Sequence, residues 1–149
     1  MININDIKKV REITGISVEA VREALENAGG KIEHALEMLK KRGIEVAAKK
    51  SERETGEGLI FSYIHSNGKI GVLLKLLCET DFVAQNEQFK ELGHELAMHI
   101  AAMNPKNIEE LLSQPYVRNQ DITTDTFMKN YIAKLGENIR ISEFCRFEI

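Results

Sequence analysis

Four histidines, two cysteines and 23 carboxylates are the side chains with which this chain could do chemistry. The nearest approach to a metal motif is the run His94-Glu95-Leu96-Ala97-Met98-His99. A zinc-binding helix of the metalloprotease type needs its two histidines four residues apart, so that both face one ion. Here they stand five apart, which at about 100° per residue turns them roughly 140° from one another. They read as two histidines on the surface or rim of a helix, and no metal is expected. Gly68-Lys69-Ile70-Gly71 sets glycines beside a lysine but lacks the spacing that wraps backbone N–H groups around phosphate, so it reads as a hairpin turn. There is no Gly-x-Ser-x-Gly elbow and no cysteine–histidine nucleophile pair, and no carboxylate pair stands in a recognisable acid–base frame. Cys78 and Cys145 are far apart and read as free thiols. No catalytic residue and no cofactor is expected; the chain reads as a binding protein and not as an enzyme.

What is left is an unusual segment, Glu79-Thr80-Asp81-Phe82-Val83, lying between an apolar strand and a capped helix. Two arrangements are open for it. Phe82 can fold back under the helix as a staple near its N-terminus. Alternatively, Asp81 and Phe82 stand out at a loop tip as an acid–aromatic pair, the kind of anchor a binding hot spot uses.

The elements that must position this segment follow from composition and period. The chain has 149 residues, 43% of them hydrophobic and 29% charged, with two prolines and no tryptophan, which favours helix. A net charge of −3 speaks against a direct nucleic-acid binder, which needs a basic surplus to neutralise phosphates. No apolar run approaches the ~20 residues that span a bilayer. Charged residues at Asp6, Lys8 and Lys9 exclude a signal peptide, so the expected location is the cytoplasm.

Three short helices are predicted first: one stopped by Thr14-Gly15, one capped by Ser17 with Val18, Val21, Ala24, Leu25 and Ala28 at helical spacing, and one over residues 31–42 closed by Gly43. Residues 44–57 mix Lys, Arg and Glu and read as a charged, partly helical linker. From Gly58 the period changes to two. Leu59, Phe61 and Tyr63 alternate with their neighbours, Asn67-Gly68 signals a hairpin with both turn residues at φ > 0, and Ile70, Val72, Leu74 and Leu76 return on one face. Leu73 and Leu77 make that strand apolar on its other side too, so it wants cover on both sides or a partner. Asn86 caps a long helix that Asn104-Pro105 stops, and a turn or two of helix fits Ile108 to Leu112. Residues 114–117 read as extended. A helix from about Thr124 to Leu135 buries Phe127, Tyr131 or Met128, Ile132 and Leu135, and Gly136 stops it. A last strand sets Ile139, Ile141 and Phe147 on one face with Cys145 between. Strands early and late with helices between them predict an α+β fold: a small three-helix unit (1–43), a linker (44–57), and an antiparallel three-stranded sheet packed with helices (58–149).

Several blocks, in order, resemble the elongation factor Ts family. Tyr63-Ile64-His65-Ser66-Asn67-Gly68-Lys69-Ile70-Gly71-Val72-Leu73 is similar to its core hairpin, and Cys78-Glu79-Thr80-Asp81-Phe82-Val83-Ala84 to its signature. Leu96-Ala97-Met98-His99-Ile100-Ala101-Ala102, Gln114-Pro115-Tyr116-Val117, Ala133-Lys134-Leu135-Gly136-Glu137-Asn138-Ile139 and Phe144-Cys145-Arg146-Phe147-Glu148 continue it. The first helices, similar in outline to ubiquitin-associated domains, and Ala47-Ala48-Lys49-Lys50 match as well. The resemblance covers nearly the whole chain. It departs at Ile16-Ser17-Val18-Glu19-Ala20, where the family usually has paired methionines and an aspartate, and between Pro105 and Pro115, where a long coiled-coil insertion and a second core copy are missing.

The resemblance implies a guanine-nucleotide exchange factor acting on elongation factor Tu, in its GDP-bound and nucleotide-free forms. It implies an exchange loop of Thr80, Asp81, Phe82 and Val83, a second contact through Lys8, Arg11, Val18 and Glu19, and a contact at His65. With one core copy, the missing one would come from another chain, as a homodimer through the core domain. Two other functions fit the residues less fully: a holder of elongation factor Tu without exchange activity, and an RNA-associated protein using the basic residues of 40–53.

Overall fold

The computed structural model describes residues 1–149. Side-chain caps fix where the first helices begin. Asn3 accepts a hydrogen bond from Asn5 N to open α1 (Ile4–Thr14), which ends at Gly15 with φ +66°. Ser17 accepts from Ala20 N to open α2 (Val18–Asn27). Gly29 and Gly30, both at positive φ, swing the chain into α3 (Ile32–Lys50). Val10, Val21, Ala24, Leu25, Ala35 and Leu39 close a core of their own between these three helices.

The third helix does not stop at Gly43, and the segment expected as linker is helical through Lys50. Glu45, Ala47, Ala48, Lys49 and Lys50 are good helix formers, and Ala47 is buried in the larger core. Gly43 marks a close approach: a Cβ there would lie 3.4 Å from Cβ of Ala133 in α7 (Thr124–Leu135). Glycine can serve packing as well as termination, and sequence alone does not separate the two.

Strands β1 (Glu57–Ile64), β2 (Ile70–Cys78) and β5 (Arg140–Glu148) form the antiparallel three-stranded sheet, in the order β1-β2-β5. The hairpin at Asn67-Gly68 forms, but only Gly68 takes positive φ. The connection is a longer loop closed by His65 N to Ile70 O at 2.9 Å and Gly68 N to His65 O at 2.7 Å. Asn67 instead uses its side chain, accepting from Lys69 N.

The last strand differs from its expected facing. The register with β2 shifts between Lys75 and Leu76, so that Leu76 opposes Ile141 while Lys75 opposes Glu143. One extra residue, Ser142, reverses the alternation. Ile139 and Ile141 therefore face the core, whereas Cys145 and Phe147 face outward, with Phe147 74% exposed.

Helices cover one side of the sheet. After α4 (Asp81–Ala84), α5 (Glu87–Met103) lays Phe89, Leu92, Leu96 and Ile100 against Phe61, Val72, Leu74 and Leu76. Gly93 lets the Phe61 ring lie across α5; a Cβ there would meet the ring at 2.2 Å. Following α6 (Ile108–Ser113), a small hairpin of β3 (Pro115–Tyr116) and β4 (Asn119–Thr123) folds over α5. The polar run Asn119-Gln120-Asp121 hides that second strand from a search for apolar alternation.

His99, expected on a helix rim, is fully buried beneath this hairpin, while His94 is exposed and lies edge-on to Phe61. The outer face of the sheet carries Ile60, Ile64, Leu73, Cys145 and Phe147, all exposed, with no helix over them. No helix is long and apolar enough to cross a membrane.

Candidate partner-docking site

The segment after β2 makes one helical turn, α4, with Thr80 as its cap: the Thr80 side chain accepts from Val83 N. Ala84 is buried and Val83 packs partly against the core, which anchors the turn from below. Asp81 and Phe82 are thereby turned outward, and Phe82 is 92% exposed. The staple arrangement is excluded, and the acid–aromatic pair stands at the tip.

The turn is held by groups distant in sequence. Glu137, just past the Gly136 stop of α7, accepts from Glu79 N at 3.1 Å and Thr80 N at 3.0 Å through one carboxylate oxygen. Its other oxygen accepts from the Thr80 hydroxyl at 2.6 Å. Asn138 N donates back to the Glu79 carboxylate at 2.8 Å, and the buried Asn138 amide donates to the carbonyls of Ser51 and Arg53. Arg53 lies 3.6 Å from Glu79, and Lys50 donates to Gly136 O at 2.6 Å. The C-terminal end of α3, the α7–β5 turn and the Phe82 turn are thus tied into one polar knot. The Cys78 thiol donates to Thr80 O. Burial, with Glu137 nearby, pushes that thiol up to about 11, so it stays a protonated donor.

The other residues singled out in the sequence lie elsewhere. His65 is exposed at the opposite end of β2, its Nδ1 3.3 Å from the Tyr63 hydroxyl. Nine strand residues separate the two ends, which at ~3.3 Å per residue is about 30 Å. Lys8 and Arg11 are exposed one turn apart on α1, and Val18 and Glu19 are exposed at the start of α2. Thr80, Asp81, Phe82 and Val83 form one cluster; the hairpin histidine and the N-terminal residues do not join it. A ligand touching all three places would need the dimensions of a protein. Glu137, Asn138 and Arg53 escape a reading by motif because each acts across a tertiary contact. The only local hint is a carboxylate placed between a helix stop and an apolar strand.

Comparison with known proteins bears on the same residues. The family model described as Elongation factor TS matches residues 79–149, beginning at the segment just described. The elongation factor Ts of Thermosipho melanesiensis is 38% identical, over all of this chain and 99% of its own length. That of Fervidobacterium nodosum is 40% identical over 96% of this chain and 95% of its own length. The Thermosipho alignment runs to 194 positions against 149 residues here, so that relative has about 45 residues without a counterpart. The elongation factor Ts of Aquifex aeolicus is 41% identical over 99% of this chain but only 52% of its own length. Matched end to end by relatives at this level of identity, the chain belongs to the elongation factor Ts family.

Proposed function

We propose that this member of the family binds elongation factor Tu in the cytoplasm and promotes release of GDP so that GTP can take its place. The observation that carries the proposal is Phe82, an almost fully exposed aromatic ring beside a carboxylate, on a turn held from beneath. An aromatic ring beside a charge on a firmly held turn is the kind of anchor a binding hot spot uses. A GTPase holds GDP through backbone N–H groups of its phosphate loop and a bridging Mg²⁺. A factor that binds the loosened state better than the tight one weakens the nucleotide by the same free energy by which the nucleotide weakens the factor. Inserting Phe82 beside the nucleotide domain would contribute about 1.5–3 kcal/mol through burial of its side chain, or roughly one to two decades in affinity. One ring therefore supplies part of the effect. Lys8, Arg11, Val18 and Glu19 would add a second contact and His65 a third, in keeping with their wide separation. In this reading the chain changes a partner's affinity and catalyses no covalent step, so it needs no cofactor, nucleic acid or membrane. A second copy, docked on the bare outer face of the sheet, would stand in for the core copy that this short form lacks.

The test is release of a fluorescent GDP analogue from elongation factor Tu, followed with the unaltered protein and with Phe82→Ala. The unaltered protein should accelerate release, and the variant should lose roughly ten- to a hundredfold of that acceleration at unchanged melting temperature. Binding without acceleration would leave a holder of elongation factor Tu and sink the exchange reading.

A further inference from the structure

We infer that Glu137 is the positioning residue for the Phe82 turn, and that it sets how fast nucleotide is released without touching the partner itself. The inference rests on the exchange reading above and goes beyond it to a residue outside the exposed segment. Four residues of helix do not hold their shape alone, because nucleation costs more than one turn returns. The orientation of α4 must come from its cap and from what holds the cap. Thr80 Oγ1 accepts from Val83 N while its own hydrogen is directed at Glu137 Oε2, 2.6 Å away. The same carboxylate takes the two N–H groups of Glu79 and Thr80 that lead into the turn. Three donors on one charged acceptor make a strong, directional clamp. Asp81 and Phe82 are the first two residues after that clamp, so they inherit its orientation. Glu137 is itself steadied on both sides: Lys50 donates to the carbonyl of Gly136, and Asn138 N–H donates to Glu79. A ring presented in one orientation loses less freedom on docking than one on a loose loop. Removing the clamp should therefore slow the step in which Phe82 inserts and leave attachment through the N-terminal helices nearly intact.

The experiment compares Glu137→Ala, Glu137→Gln and Thr80→Val with the unaltered chain, measuring the maximal rate of GDP-analogue release and the concentration of factor at half-saturation. Glu137→Ala should lower the maximal rate about tenfold and shift half-saturation less than about twofold, since a contact acting only at the insertion step moves the rate alone. Glu137→Gln keeps an acceptor for the two N–H groups and should recover much of the loss. Thr80→Val removes the hydroxyl that connects Glu137 to Val83 and should behave like Glu137→Ala. Combined with Phe82→Ala, Glu137→Ala should add almost nothing, because both act through one ring. Independent, additive effects would overturn the inference, as would an unchanged maximal rate in Glu137→Ala. Amide hydrogen exchange on the free protein supplies a readout that needs no partner. The N–H groups of Glu79, Thr80 and Val83 should exchange faster in Glu137→Ala at unchanged melting temperature, and unchanged protection would also overturn it. If the unaltered chain fails to accelerate GDP release, the exchange reading falls. The amide measurement still decides whether Glu137 holds the turn.

Discussion

Individual residues divide into those whose neighbours lie close in sequence and those whose neighbours do not. Phe82 as an odd aromatic among polar residues is visible in the chain, because the contrast lies between neighbours; that Thr80 caps a helical turn there emerges only in the structure. His99 is the opposite case. Its surroundings come from residues 15 to 25 positions away: Nε2 lies 2.9 Å from the Gln114 side-chain oxygen and 3.3 Å from the Thr124 hydroxyl, while Nδ1 accepts from Val117 N. With Nδ1 accepting, the proton sits on Nε2 and the ring is neutral. Tyr116 stacks on it with ring centres 5.9 Å apart, and the Tyr116 hydroxyl donates to Glu95. Burial lowers the pKa of His99 below the usual histidine value, against a smaller opposing effect of the Gln114 hydrogen bond. The unfolded chain, whose histidine has an ordinary pKa near ~6.5, binds this proton first as the pH falls. The stabilisation is thus complete above that value and is lost as the pH drops from there toward the lowered folded-state value. Melting temperature between about pH 7.5 and pH 5 should fall more steeply for the unaltered protein than for His99→Gln, which cannot titrate. Equal slopes for the two would show that His99 takes up its proton without disturbing the fold.

Secondary elements were legible wherever period and caps agreed. Gly15, Ser17, Asn86 and Gly136 each delimit a helix in the way their side chains or backbone freedom allow. Two glycines inside helices resisted interpretation, since only a tertiary neighbour gives them meaning. Gly93 faces the Phe61 ring at a distance no Cβ could occupy, while Gly43 leaves a Cβ at contact distance from Ala133. The same substitution should therefore have opposite signs at the two sites. Gly93→Ala should destabilise the fold by about 1–3 kcal/mol, because the Phe61 ring must leave its place in a packed core. Gly43→Ala should stabilise it by about 0.4–1 kcal/mol, since the helix gains a better former and the added Cβ reaches only the edge of ordinary contact with Ala133. Urea unfolding of both variants measures each effect, and combining Gly93→Ala with Phe61→Leu should return part of the loss. Two losses of similar size would show that α3 and α7 cannot give even a few tenths of an ångström. The bulge at Ser142 is a further element-scale feature without a sequence signal: alternation predicted one face for Ile141 and Phe147, and one inserted residue divides them.

For the whole molecule, the decisive feature is the contrast between the two faces of one sheet. Phe61, Val72, Leu74 and Leu76 are sealed beneath α5, whereas Ile60, Ile64, Leu73 and Phe147 look into water from the other side. Leu73 sits at the centre of that outer face, directly across from Ser62 on one strand and Cys145 on the other. An antiparallel sheet left open to solvent is normally polar on its open side; here only Ser62 and the Lys75–Glu143 ion pair interrupt the exposed apolar residues, and such a patch belongs against another surface. Under the proposed dimer the occupant would be a second copy of the same chain, because a two-fold pairing sets like against like and covers both faces at once. Light scattering during size-exclusion chromatography should give twice the chain mass at tens of micromolar. Leu73→Glu, which places a charge at the middle of the face and disturbs no buried contact, should give the mass of a single chain with an unchanged circular-dichroism spectrum and melting profile at high dilution. The separated chains should keep the Phe82 turn intact, because its clamp lies beyond the end of β2 and draws on none of the outer-face residues. If the unaltered protein already runs as a single chain at tens of micromolar, the dimer proposed for this face falls.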